Sequence, residues 1–147
     1  MSSFTQPLRF ENTDKWSHGR RKFRILKGFR YYIGVECSNL WIDVEEGEET
    51  DLGSIPRIVW PWISPDSPWS STWAVHDKCY RLAQLSRLMS DLIMWEASGL
   101  PQWIENDDGT RRQVWMPLEQ RIAVYRSVRF GGWRTYRKYA AEAALKK

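Results

Sequence analysis

Cysteine and histidine are both scarce: the 147-residue chain holds two of each. Cys37 and Cys79 lie far apart, and no two cysteines or two histidines stand at short spacing. That excludes the even cysteine lattice of a disulfide-stapled scaffold and the paired ligands of a zinc site, and predicts buried, reduced thiols. No apolar run approaches the ~20 residues that span a bilayer. The opening stretch MSSFTQPLRFENTDKW is polar, acidic early and without an apolar centre, so it does not read as a secretory leader. Internal repeats and low-complexity tracts are also missing. Charge of one sign is not strongly in excess, the net charge being +4. Basic clusters at Arg20-Arg21-Lys22, Arg111-Arg112, Arg121 to Arg137 and Lys146-Lys147 come with no nucleic-acid-binding module, and so read as a solvated basic face.

What the chain has in surplus is tryptophan, ten in all. One small core has limited room for so large a side chain, and Trp beyond that need collects at surfaces that meet proteins or lipid headgroups. The length suits one domain around one core. Residues 1–20 show no clear periodicity and read as an arm, leaving 21–147 as a single α+β domain. From Arg21 to Glu49, aromatic and β-branched residues punctuated by Gly28, Gly34 and Ser38-Asn39 predict three or four short antiparallel strands. Asp51 to Ser67, broken by Pro56, Pro61 and Pro65, reads as an ordered loop with at most one helical turn. Ser67 as N-cap and Pro68 at the first helical position predict a helix to about Leu82 or Leu85. Ser86 opens a second helix that Gly99-Leu100-Pro101 ends. A hairpin around Asn106-Asp107-Asp108-Gly109 follows, then a helix from Pro117 to Gly131-Gly132 and a last one over WRTYRKYAAEAALKK. The expected architecture is an N-terminal antiparallel sheet followed by about four helices.

The chemistry-bearing stretch is STWAVHDKCY, residues 71–80. On a helix His76 shares a face with Trp73, Cys79 and Tyr80, whereas Asp77 faces Trp73 and Arg81. Successive residues point about 100° apart, so His76 and Asp77 take separate roles. A neutral imidazole serves as general base when a carboxylate on its far nitrogen fixes the tautomer. Asp91, in the next helix, is the candidate. Asp77 is then free to hold a cation with loop carbonyls, an oxygen environment that suits calcium. The plain structural alternative is equally concrete: a half-buried histidine on a backbone carbonyl, with Asp77 paired to Arg81. Tyr80 reads as a core aromatic with a bonded hydroxyl, and His18 as a solvated residue.

The run TDLGSIPRIVWPWISPDSPWSSTWAVHDKCY, followed by SRLMSDLIMWEASG and VYRSVRFGG, resembles a phage-associated domain-of-unknown-function family, number 1353. The elements that carry the likeness are the loop Thr50-Asp51 to Arg57, the helix His76-Asp77 to Tyr80, Asp91, and Tyr125 to Gly131. The resemblance covers roughly residues 20–132 and implies a bacteriophage or prophage origin. Within it, H-D-x-C-Y is similar to the helix motif of secreted phospholipase A(2). That likeness implies His76 as general base, Asp77 as calcium ligand and Asp91 as the residue orienting the histidine. The glycine-rich calcium loop and the disulfide lattice of that enzyme have no counterpart here. The candidate site is therefore His76, Asp91 and Tyr80 for catalysis, Asp51, Ser54 and Arg57 for binding, and Asp77 for a metal, with calcium the cofactor implied.

Two functions fit this sequence. One is a virion-associated structural or accessory protein of a tail, baseplate or neck, contacting other virion proteins and located in the virion or, during assembly, in the host cytoplasm. The other is a small His/Asp hydrolase, phospholipase- or esterase-like, in contact with the membrane of the host envelope.

Overall fold

A computed structural model describes residues 2–17, 19–52, 56–64 and 67–146. The architecture is α+β. Six strands come first: β1 (Ser3–Phe4), β2 (Arg9–Ser17), β3 (Arg20–Lys27), β4 (Phe29–Tyr32), β5 (Trp41–Val44) and β6 (Glu49–Thr50). They form two antiparallel three-stranded sheets, ordered β1-β4-β5 and β2-β3-β6. Chain crosses from one sheet to the other at Gly28, where a Cβ would sit 3.0 Å from both Val44 O and Glu46 N. The stretch read from sequence as an arm thus carries two strands. Its alternation is hidden because β2 is bulged, the register jumping between Asn12 and Trp16, and a bulge breaks the period of two by which a strand is recognised.

Among the described residues of the proline-rich loop, Arg57–Val59 form a 3₁₀ turn, and α1 (Ser70–Leu82) and α2 (Arg87–Ser98) follow. Pro68 does not open α1. The helix begins at Ser70 behind Trp69, without a side-chain cap, while Ser67 O accepts from the Ser70 amide and hydroxyl in a preceding turn. Ser86 caps α2 as its sequence predicts, accepting from Met89 N at 3.2 Å. The hairpin β7 (Gln102–Glu105) and β8 (Arg111–Val114) is closed by Gly109 at φ +80°, and α3 (Leu118–Gly131) and α4 (Trp133–Ala144) complete the chain.

Helix α1 is the axis of the molecule. It packs against α2, α4 and β5, and from Ser70 to Tyr80 only Lys78 escapes burial. Trp73, Val75 and Cys79 join Ile25, Phe29, Tyr31 and Val44 of the sheets, Ile93 and Met94 of α2, and Val124 and Val128 of α3 in one core. A helix enclosed on so many sides must satisfy its polar side chains internally or leave them unpaired at a cost. Cys79 is buried, but Cys37 is exposed, in a turn at φ +58°. The expectation of two buried thiols fails there because Cys37 falls in the β4–β5 connection, outside the core.

Candidate functional site

His76 and Asp91 meet across α1 and α2, with Nε2 of the imidazole 2.8 Å from Oδ1 of the carboxylate. Both side chains are fully buried. The short four-residue connection after α1 and the Ser86 cap bring α2 alongside, so Asp91, one turn into it, reaches the His76 face. Asp91 accepts two further hydrogen bonds: Tyr80 donates its hydroxyl to Oδ1 at 2.6 Å, and Arg129 of α3 donates Nη1 to Oδ2 at 2.6 Å. Burial pushes this carboxyl upward, but the hydrogen bonds from His76, Tyr80 and Arg129 outweigh it and hold Asp91 below the ordinary carboxylate range. An ionised Asp91 can only accept, so the network places the imidazole proton on Nε2.

In the neutral imidazole Nδ1 then carries the lone pair, and it is buried with no hydrogen-bond partner among the described residues. Such a group costs about 1–3 kcal/mol. The histidine bonded to a backbone carbonyl, considered above, is not what folds. Thr72 Oγ1 and Trp73 Nε1 are likewise buried and unpartnered. They belong to residues four and three positions before His76, on the same face of α1.

Asp77 points elsewhere, as the 100° step demands. Its Oδ2 accepts from Thr50 Oγ1 at 2.7 Å and lies 3.2 Å from Arg81 Nε, an ion pair one helical turn away that is not aligned as a hydrogen bond. Arg81 also donates to Glu49 O and to Glu48 Oε2. Burial raises the Asp77 carboxyl, Arg81 opposes, and the neighbouring charge of Asp51 pushes the same way as burial. Asp51 and Asp77 together line a cavity of ≈390 Å³, within the size range of small-molecule sites. Arg57 lines it too, and donates Nη2 to Gly19 O at 2.5 Å. Ser54 and His18 lie outside the described residues.

Oδ2 of Asp77, the candidate cation ligand, is already engaged. The carboxylate already holds Thr50 and a guanidinium, and among the described residues no group of three or more His, Cys, Asp or Glu is placed to share an ion. Tyr80 has an orienting part, since its hydroxyl is committed to Asp91. Its ring lies 4.2 Å from that of His76, tilted by 48°, and Tyr80 also lines the cavity. Gly132 makes that placement possible: a Cβ there would meet Tyr80 Oη at 2.8 Å and Val128 O at 2.7 Å.

Sequence reasoning missed Arg129 and the cavity wall formed by Gly131, Gly132, Thr135, Lys138 and Tyr139. Arg129 stands in an arginine-rich helix whose members look alike until α3 is docked. The signal for it was the Val124 and Val128 stripe, which turns Arg129 toward α2 beside the core.

No curated protein and no solved structure matches this chain. The family described as a protein of unknown function (DUF1353) matches residues 23–113, from β3 to β8 and including Asp51, His76, Asp77 and Asp91. That span is more than half of the sequence, and the protein belongs to this family.

Proposed function

We propose that this protein is a small hydrolase in which His76, oriented by Asp91, takes a proton from an attacking water. The observation that carries the reading is the Nδ1 atom: buried, unpartnered, and left as a lone pair by a ring whose other nitrogen is committed to an ionised carboxylate. That gives the tautomer a general base needs, and perturbed, enclosed ionisable groups gather at functional sites. Asp91 keeps the tautomer and stabilises the imidazolium that forms. Thr72 and Trp73 offer donors on the same side of the helix to a water or a substrate oxygen. His76 itself does not line the cavity, although its neighbours Asp77 and Tyr80 do. Turnover on this reading therefore requires the packing between Nδ1 and the cavity to part when substrate binds.

The cavity rim supports work at an envelope. Ile58 (75 % exposed) follows the lining residues Pro56 and Arg57, while Phe130 (81 %) and Trp133 (42 %) flank Gly131 and Gly132. Arg134 and Arg137 lie over the Trp133 ring at 5.4 and 5.7 Å, and Lys138 lines the cavity itself. Apolar and aromatic side chains interleaved with cations suit the headgroup boundary of an anionic membrane. A phospholipid or other lipid ester is the substrate class that reading favours.

A second reading is a virion-associated accessory protein whose His-Asp network is architectural. The exposure of Trp103 and Trp115, at the β7–β8 hairpin and away from that rim, favours it, since exposed Trp anchors protein interfaces. The test measures hydrolysis of mixed phospholipids and simple esters, with and without calcium, alongside incorporation into virions, for wild type and His76→Gln. We expect wild-type turnover that falls by ~10²–10⁴-fold in the variant, the usual contribution of a general base, with folding retained. No wild-type turnover on any substrate, together with lost incorporation in the variant, refutes the hydrolase and leaves the architectural protein.

A further inference from the structure

Arg129 reaches Asp91 from α3, an element that the sequence assigned no part in the site. Asp91 is faced by His76 and Tyr80 from α1 and by Arg129 from α3, with Arg87 nearby on α2 itself. Tyr125 of α3 adjoins Arg129, and Tyr136 of α4 packs its ring 5.3 Å from Tyr80 while donating its hydroxyl to Leu85 O. Within this set the two oxygens of Asp91 are divided. Oδ1 serves His76 and Tyr80, and Oδ2 serves Arg129. Arg129 is itself held, for Arg87 Nη1 donates to its carbonyl oxygen at 2.8 Å.

We infer that Arg129 is the positioning residue of the His76–Asp91 pair: by anchoring Oδ2 it aims Oδ1 at Nε2 and keeps the proton of the imidazole there, which leaves Nδ1 able to accept one. The inference rests on the general-base reading above. Its physical basis is the balance at a buried carboxylate. Burial alone favours the protonated acid, and a protonated Asp91 would donate to Nε2 and drive the ring proton to Nδ1. The Arg129 guanidinium, 28 % exposed at its side chain and 2.6 Å from Oδ2, adds a permanent cation to the hydrogen bonds from His76 and Tyr80 that favour the anion. Tyr80 adds a neutral donor but no charge. Tautomer control by an outer partner is a general device; for the outer partners of metal-bound histidines the loss is ~10–100-fold in metal affinity or activity, and the same order is expected here.

The experiment is ¹⁵N NMR of histidine-labelled protein, which reports directly which ring nitrogen carries the proton. His18 and His76 are the two histidines, and a His18→Gln variant assigns them. In wild type the expected pattern is a protonated Nε2 and a bare Nδ1. In Arg129→Gln the proton distribution should shift toward Nδ1, and Arg129→Lys, which keeps a cation, should restore the wild-type pattern. If Arg129→Gln folds weakly, the spectra are compared in trimethylamine N-oxide, which favours the compact state. Where turnover is measurable, kcat should fall ~10–100-fold in Arg129→Gln with KM little changed. A wild-type proton on Nδ1 overturns the general-base reading itself. A wild-type proton on Nε2 that stays there in Arg129→Gln overturns the role of Arg129 alone.

Discussion

Asp91→Asn tests the centre of the network without changing its shape. The carboxylate accepts from three donors, two on Oδ1 and one on Oδ2, whereas an amide offers one oxygen. If that oxygen keeps His76 and Tyr80, the amide NH₂ is set against Arg129 Nη1 at the former 2.6 Å separation, donor against donor. Breaking a fully buried ion pair by removing one partner costs ~3–5 kcal/mol. Arg129 keeps some access to water, so part of its solvation is recovered and the expected loss is about 2–4 kcal/mol. At about 2–4 °C per kcal/mol for a chain of this size, Tm should fall by roughly 4–16 °C. Urea unfolding followed by tryptophan fluorescence measures the loss. The pH dependence adds a second check. The carboxyl of Asp91 is held below its unfolded value, so its contribution is fully present above the unfolded pKa, near ~3.9, and disappears as pH falls through the lower folded value. The wild-type advantage over Asp91→Asn should therefore be constant at neutral pH and shrink in acid. A variant within 0.5 kcal/mol of wild type at pH 7 would show that the three contacts are not coupled as described.

Asp77 should behave oppositely. Its folded carboxyl is raised by burial and by Asp51, so it detracts from stability as pH rises from the unfolded value toward the folded one. Asp77→Asn should remove that decline, which urea midpoints from pH 4 to 8 will show, and an unchanged pH slope would contradict the burial argument. The two thiols should differ sharply: Cys37 is exposed, while burial and the charge of Asp77 push the Cys79 thiol up to about 12. A thiol-reactive dye at pH 8 should label one cysteine in the native protein and two in urea, and rapid native labelling of both would refute the buried assignment.

Much of the α+β order was legible because its signals are local. Ser86, Pro117, Gly99 and Gly131-Gly132 mark helix ends wherever they stand, and the aromatic and β-branched run after Arg21 marks strands. Where local signals compete, the boundaries moved. Pro68 is compatible with a first helical turn, yet the chain at Ser67 turns instead, and α1 starts where its side chains first enter the core. The bulge in β2 shows the converse case, a strand whose pairing with β3 is stronger evidence than its pattern.

For the site, the sequence by itself determined the order T-D, H-D-x-C-Y, Asp and Tyr-Val-Gly, the family, and the angular separation of His76 from Asp77, which follows from helical geometry alone. It also paired His76 with Asp91, because a short connection between two helices leaves few other partners. Tertiary structure decided the rest. Only packing α1 on all sides makes His76 fully buried and Nδ1 solitary, and only docking α3 selects Arg129 from a helix rich in similar cations. Placing α4 against α1 then supplies one wall of the cavity that Asp51 and Asp77 line. These are contacts between residues distant in the chain, and no local spacing encodes them.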